Sequence, residues 1–191
     1  MNKTVITILL VCATCILCGC KKWLEETEIT VNSAVINGKQ YDYTITSRPF
    51  NFGPAKTIEP FIFSESGLAS HMIYLNNDEI IIYFVIKCTE DDSNVSKRFN
   101  IKSPTMIDEF PKDPFLAYWN IPYENIPDGS DGIAFMYNRM QYGENNPIGL
   151  SGYLEVKNFT ERYNRNEFEL SSDSIPQIVI TDGFFLTARN R

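Results

Sequence analysis

The chain is poor in the residues that metal and nucleophile chemistry most often needs. It holds a single histidine, His71, and five cysteines, of which Cys12, Cys15, Cys18 and Cys20 fall within the first twenty residues. Cys88 is alone in everything that follows, so that part of the chain cannot close an internal disulfide. Zinc sites of the usual His and Cys ligands are excluded on the same count. His71 and Cys88 are the one imidazole and thiol available for cysteine catalysis, and Cys88 ends an apolar run as a small hydrophobe. A serine nucleophile elbow is missing too. Gly149-Leu150-Ser151-Gly152-Tyr153 lacks the final glycine of Gly-x-Ser-x-Gly and reads as a closely packed strand. No glycine-rich phosphate loop is present. Asp128-Gly129-Ser130-Asp131-Gly132 begins like a calcium loop, but Ile133 and Arg139 stand where an EF-hand needs glycine and glutamate. It reads as a surface turn, and no cofactor or metal is expected. Positive charge is also scarce, with 17 Lys and Arg against 24 Asp and Glu, which argues against nucleic acid as a partner.

What is present begins at the N-terminus. Asn2-Lys3 opens the chain, Val5 to Leu17 is an almost unbroken apolar run, and Leu17-Cys18-Gly19-Cys20 closes it. The run is shorter than the roughly 20 apolar residues that a membrane span needs. It reads as a secretory signal with a lipid-attachment ending. Leu17 to Cys20 resembles the lipobox of bacterial lipoproteins, which implies cleavage before Cys20 and acylation of its thiol. On that resemblance, residues 1–19 are the signal peptide, 20–28 a lipidated tether and 29–191 a single β-rich domain. Only Lys3 among the charged residues is lost, leaving 16 Lys and Arg against 24 Asp and Glu.

The expected fold is all-β, a single antiparallel barrel or sandwich. Asn37-Gly38 between two β-prone runs predicts a tight hairpin, with Tyr41, Tyr43 and Ile45 on one face of its second arm. Glu79 to Lys87 is apolar on both faces and predicts a strand covered on both sides. Lys97 to Ile101 is expected to pair back on it as a second hairpin. Gly132 to Tyr137, Ile148 to Phe159, Tyr163 to Leu170 and Ile178 to Ala188 supply further strands. The middle two are read as a hairpin, and Asp182-Gly183 as a bulge in the last. No amphipathic helix of ordinary length and no internal repeat is visible.

Residues 103–132 differ, with five prolines spaced among Phe110, Phe115, Tyr118, Trp119 and Tyr123. That proline density disfavours a regular helix or central strand and predicts a long ordered loop, with room for one short helical turn. Phe115, Tyr118, Trp119 and Tyr123 are its candidate ligand-binding residues, since long loops in compact domains often carry binding. Asp108, Glu109, Asp113 and Glu124 beside them are the candidate carboxylates of a sugar-processing enzyme. Asp173-Ser174-Ile175 resembles the short O-glycosylation acceptor of Bacteroides-type bacteria, which makes Ser174 a candidate modification site.

The lipobox, the early Ile36-Asn37-Gly38-Lys39 hairpin and the closing Ile180 to Phe185 strand resemble small β-rich lipoproteins of unknown function common in Bacteroides-type gut bacteria. The resemblance implies the outer membrane, with a lipid anchor on Cys20 and the domain on the periplasmic face or the cell surface. It implies a lipocalin-like fold as one option but no reaction, and the lipocalin Gly-x-Trp near the first strand is absent. The expected function is a non-catalytic binding module for a small apolar ligand, a glycan or an envelope protein. The alternatives are a carbohydrate-active enzyme using loop carboxylates and an accessory subunit of a surface fibre.

Overall fold

Asn37 and Gly38 adopt φ of 49° and 80°, the pair of positive values that a type I′ turn needs, and they join β1 (Glu28–Ile36) to β2 (Lys39–Thr46). Asn37 also anchors the hairpin to the last strand. Its backbone N–H donates to Val179 O, and its side-chain oxygen accepts from Val179 N, both at 2.8 Å. The computed structural model describes residues 28–46, 60–76, 79–89, 96–119, 125–139, 146–158, 163–173 and 177–189, with side chains omitted at 28–31, 44–46, 118 and 119. Residues 31–43 and 57–191 make one compact unit. Residues 1–30 and 44–56 make another, of which only the strand ends are described.

The protein is all-β, built on a ten-stranded mixed sheet. After the hairpin come β3 (Ile62–Phe63), β4 (Leu68–Leu75), β5 (Ile80–Lys87) and β6 (Lys97–Lys102). A single 3-10 turn (Ile107–Glu109) and a short helix α1 (Pro114–Trp119) precede β7 (Gly132–Asn138), β8 (Ile148–Asn158), β9 (Tyr163–Ser171) and β10 (Val179–Ala188). The strand order is β2-β1-β10-β9-β8-β6-β7-β5-β4-β3. The antiparallel expectation holds at every described junction but one. β6 meets β7 in parallel, at Ile101 with Gly132 and Lys102 with Ile133.

That junction corrects the expected β5–β6 hairpin. β5 pairs instead with β4 and with β7 over Ile80 to Ile86, and β6 pairs with β8. The physical reason lies in the side chains. β5 and β7 are buried along both faces, so they take central positions beside each other, whereas β6 alternates exposed Arg98 and Asn100 with buried Phe99 and Ile101. Gly132 permits the crowding at this point, because a Cβ there would overlap the Val85 carbonyl.

Within the larger unit the sheet curls into a half-barrel. β10 and β4 are far apart in strand order, yet His71 of β4 stacks on Phe185 of β10 with ring centres 4.8 Å apart and planes within 8°. Phe84 of β5 likewise meets Phe168 of β9 at 5.2 Å and Phe185 at 5.6 Å. The three phenylalanine rings, with Ile80, Ile82, Ile86, Phe99, Leu154 and Ile180, belong to one apolar cluster on the concave side. Asp182 at φ 50° forms the expected bulge, where the β9–β10 register shifts between Ile180 and Gly183. Near the open edges the Asp42 N–H donates to Asn76 Oδ1 at 3.2 Å.

The convex side of β5 and β7 has its own cover. Ile81, Tyr83, Val85, Ile133, Phe135 and Tyr137 pack against Phe110, Ala117 and Ile126 from the proline-rich segment. Two phenols tie that segment down. Tyr83 donates to Pro114 O at 2.5 Å and Tyr137 to Pro111 O at 2.6 Å. Burial, and then the Asp113 charge, push the Tyr137 phenol far above its ordinary range, so it remains a donor at any ordinary pH.

Candidate functional site

Strands β8, β9 and β10 turn one face inward and the other to solvent, as period-two alternation requires. Leu154, Val156, Phe168 and Leu170 point into the core, leaving Tyr153, Glu155, Lys157, Arg165, Glu167 and Glu169 outside. Register aligns these outward residues in rows. Arg98, Glu155, Glu167 and Phe184 occupy successive strands of one row, and Tyr153 stands opposite Glu169 in the next.

Glu155 and Glu167 are therefore direct cross-strand neighbours of like charge, an arrangement that is unfavourable without compensation. Lys157 compensates it by reaching Glu167 at 2.5 Å and Glu155 at 3.4 Å, and the Arg165 Nε donates to Glu167 at 2.8 Å. Hydrogen bonds from Lys157 and Arg165 lower the Glu167 pKa, while the Lys157 pKa is raised. Guanidinium groups also rest on the rings. Arg98 lies 3.6 Å from the Tyr153 ring centre and Arg165 lies 4.5 Å from that of Phe184.

Where the bulge lifts Asp182, these strands border an open groove of about 270 Å³ lined by Tyr153, Arg165, Glu167, Glu169, Asp182 and Phe184. Phe168 and Gly183 complete the lining. A Cβ at residue 183 would strike the Phe168 ring, so glycine lets β10 pass close to that ring. Tyr153 hydrogen-bonds Glu169, and its pKa is raised by partial desolvation and then by that carboxylate. The groove thus combines the Tyr153 and Phe184 rings, the Arg165 guanidinium and the carboxylates of Glu167, Glu169 and Asp182.

The residues singled out in the sequence lie elsewhere. Phe115 is 47% exposed and Leu116 55%, with the Phe115 ring 6.4 Å from that of Tyr74. Tyr118 and Trp119 belong to α1, but their side chains, like Tyr123, Ser174, Glu124 and Cys20, lie outside the described residues. Phe110 is buried against Phe135 as part of the convex cover. Asp108 and Glu109 are exposed on the 3-10 turn, and Asp113 accepts the Phe115 N–H at 2.9 Å. His71 pairs across the ladder with Phe84, four residues short of Cys88, and four strand residues span about 13 Å. Imidazole and thiol are not brought together. Asp131 spends its carboxylate on the Asn100 N–H at 2.8 Å, in keeping with a surface turn. Among the described residues no group of His, Cys, Asp and Glu could hold a metal ion, and no helix is long and apolar enough to cross a membrane.

Sequence reasoning missed the groove. The outward alternation of Tyr153, Glu155 and Lys157, and of Arg165, Glu167 and Glu169, is readable in the chain. Their meeting with Asp182 and Phe184 depends on the β9–β10 register and its bulge. Comparison with protein-family models, with curated protein sequences and with solved structures gave no match.

Proposed function

We propose that this protein is an outer-membrane lipoprotein, held by acyl chains on Cys20, whose domain binds a glycan in the groove between Tyr153 and Phe184. The observation that carries the reading is the contrast between the two sides of the sheet. The concave side is taken up by the rings of Phe84, Phe168 and Phe185, which pack on one another with centres 5.2 to 6.0 Å apart. The convex side of β8 to β10 offers aromatic surface beside carboxylate and guanidinium groups, the combination that suits sugar rings and hydroxyls. A rigid sheet also loses little entropy on binding.

Glycoside hydrolysis draws less support. Of the loop carboxylates that reading would use, Asp108 and Glu109 stand exposed on the 3-10 turn and Asp113 accepts the Phe115 N–H. A second reading, docking to an envelope protein, is favoured by the exposed side chains of Met106, Phe115 and Leu116.

Affinity electrophoresis of the full chain in detergent, through gels containing mannan, xylan, hydroxyethylcellulose or partly deacetylated chitin, tests the glycan reading. Retardation in at least one gel, lost in Tyr153→Ala and Phe184→Ala, is expected. No retardation, or retardation that survives both substitutions, contradicts it. For the anchor, labelling with an acyl analogue that persists in Cys20→Ala contradicts lipidation there.

A further inference from the structure

We infer that the groove selects by charge, accepting neutral and amino-bearing glycans and rejecting those that carry carboxylates or sulfates. This rests on the glycan reading above and assigns the ligand class to that same site.

Cations and acceptors at the groove differ in how far they are already paired. Arg165 is the cation among the groove's lining residues, and it and its neighbours Lys157 and Arg98 each have partners within the protein. Lys157 bridges Glu155 and Glu167, Arg165 bonds Glu167 and lies over Phe184, and Arg98 lies over Tyr153. An anionic ligand would meet Glu167, Glu169 and Asp182 against the Arg165 guanidinium alone, an excess of two carboxylates on the groove lining. The acceptors are in the opposite condition. Asp182 has no ion pair among the described residues, and its place on the bulge at φ 50° sets it on the groove wall. Glu169 takes one hydrogen bond from Tyr153, and an ionised carboxylate has about four lone-pair sites, so it keeps further acceptor capacity.

An ionised carboxylate only accepts hydrogen bonds. What it can take from a ligand is a hydroxyl or an ammonium group, and what it repels is another carboxylate or a sulfate. The chain as a whole reinforces the choice, since its excess of Asp and Glu gives a net charge of -7.

Isothermal titration of the full chain in detergent, with hexamers of β-1,4-glucosamine, β-1,4-glucose and α-1,4-galacturonic acid at low salt, tests the inference. The glucosamine or glucose hexamer should bind at least tenfold more tightly than the galacturonate hexamer. In Asp182→Asn with Glu169→Gln that ratio should fall below about threefold, because losing two carboxylates removes the discrimination. Asparagine tolerates the positive φ at residue 182, so the variant keeps the bulge. Galacturonate binding as tightly as the neutral hexamer overturns the charge rule and leaves glycan binding standing, as does a ratio unchanged in the double variant. Binding of none of the three, while a polysaccharide gel still retards the protein, also overturns it. Failure in both assays overturns the glycan reading itself.

Discussion

His71 should make the fold acid-sensitive between about pH 6.5 and pH 4. Its ring is buried, stacked on Phe185 and tilted against Phe61 with centres 5.4 Å apart, and it hydrogen-bonds the Pro60 backbone. Desolvation lowers its pKa from 6.5 to about 4, and the Pro60 bond raises it only in part. The depressed folded-state value means that the unfolded chain takes up the proton first as pH falls. Stability is therefore complete above pH 6.5 and is lost on the way down to about pH 4. At about 1.36 kcal/mol per pKa unit the full loss is about 3 kcal/mol, and by pH 4.5 about 2.5 kcal/mol of it should be gone. Urea melts of wild type and His71→Phe at pH 7.5 and 4.5 measure it, because this is the chain's one histidine and phenylalanine can occupy the same stack. Carboxylates titrate in both proteins, so the difference between their losses isolates the imidazole. Equal losses would refute the reasoning, since a solvated His71 cannot lie between Phe61 and Phe185 and the curl that joins β4 to β10 would be wrong.

Ile82→Ala on the concave side and Ile81→Ala on the convex side should each cost about 2 to 5 kcal/mol in chemical unfolding, because both faces of β5 are covered. A loss under about 1 kcal/mol for either would leave that face uncovered. Tyr137→Phe should cost about 0.5 to 1.5 kcal/mol by removing the hydrogen bond to Pro111 O, and should speed proteolysis within residues 106–117. Unchanged cleavage there would mean that the phenol does not hold the segment.

Where local chemistry decides a structure, the sequence was readable. The Asn37-Gly38 turn, the two-sided burial of β5, the β8–β9 hairpin and the Asp182-Gly183 bulge each follow from residues adjacent in the chain. Partner choice between distant strands was not. β7 lies between β5 and β6 because two strands buried on both faces need each other, a competition that adjacency along the chain hides. The same limit applies to the site. Proline and aromatic density drew attention to residues 110–123, whose Phe110 and Ala117 are spent covering β5 and β7. The groove draws its residues from three strands of ordinary alternating composition, and it exists only once the register sets Glu167 beside Phe184.

The most direct test of the account is hydrogen exchange of the full chain in detergent, read by mass spectrometry with and without the hexamer that binds most tightly. Slowed exchange confined to peptides from residues 151–157, 163–171 and 179–186 is the predicted result. Slowing in residues 105–119 with those strands unchanged would contradict it, and would return the site to the segment that carries Phe115.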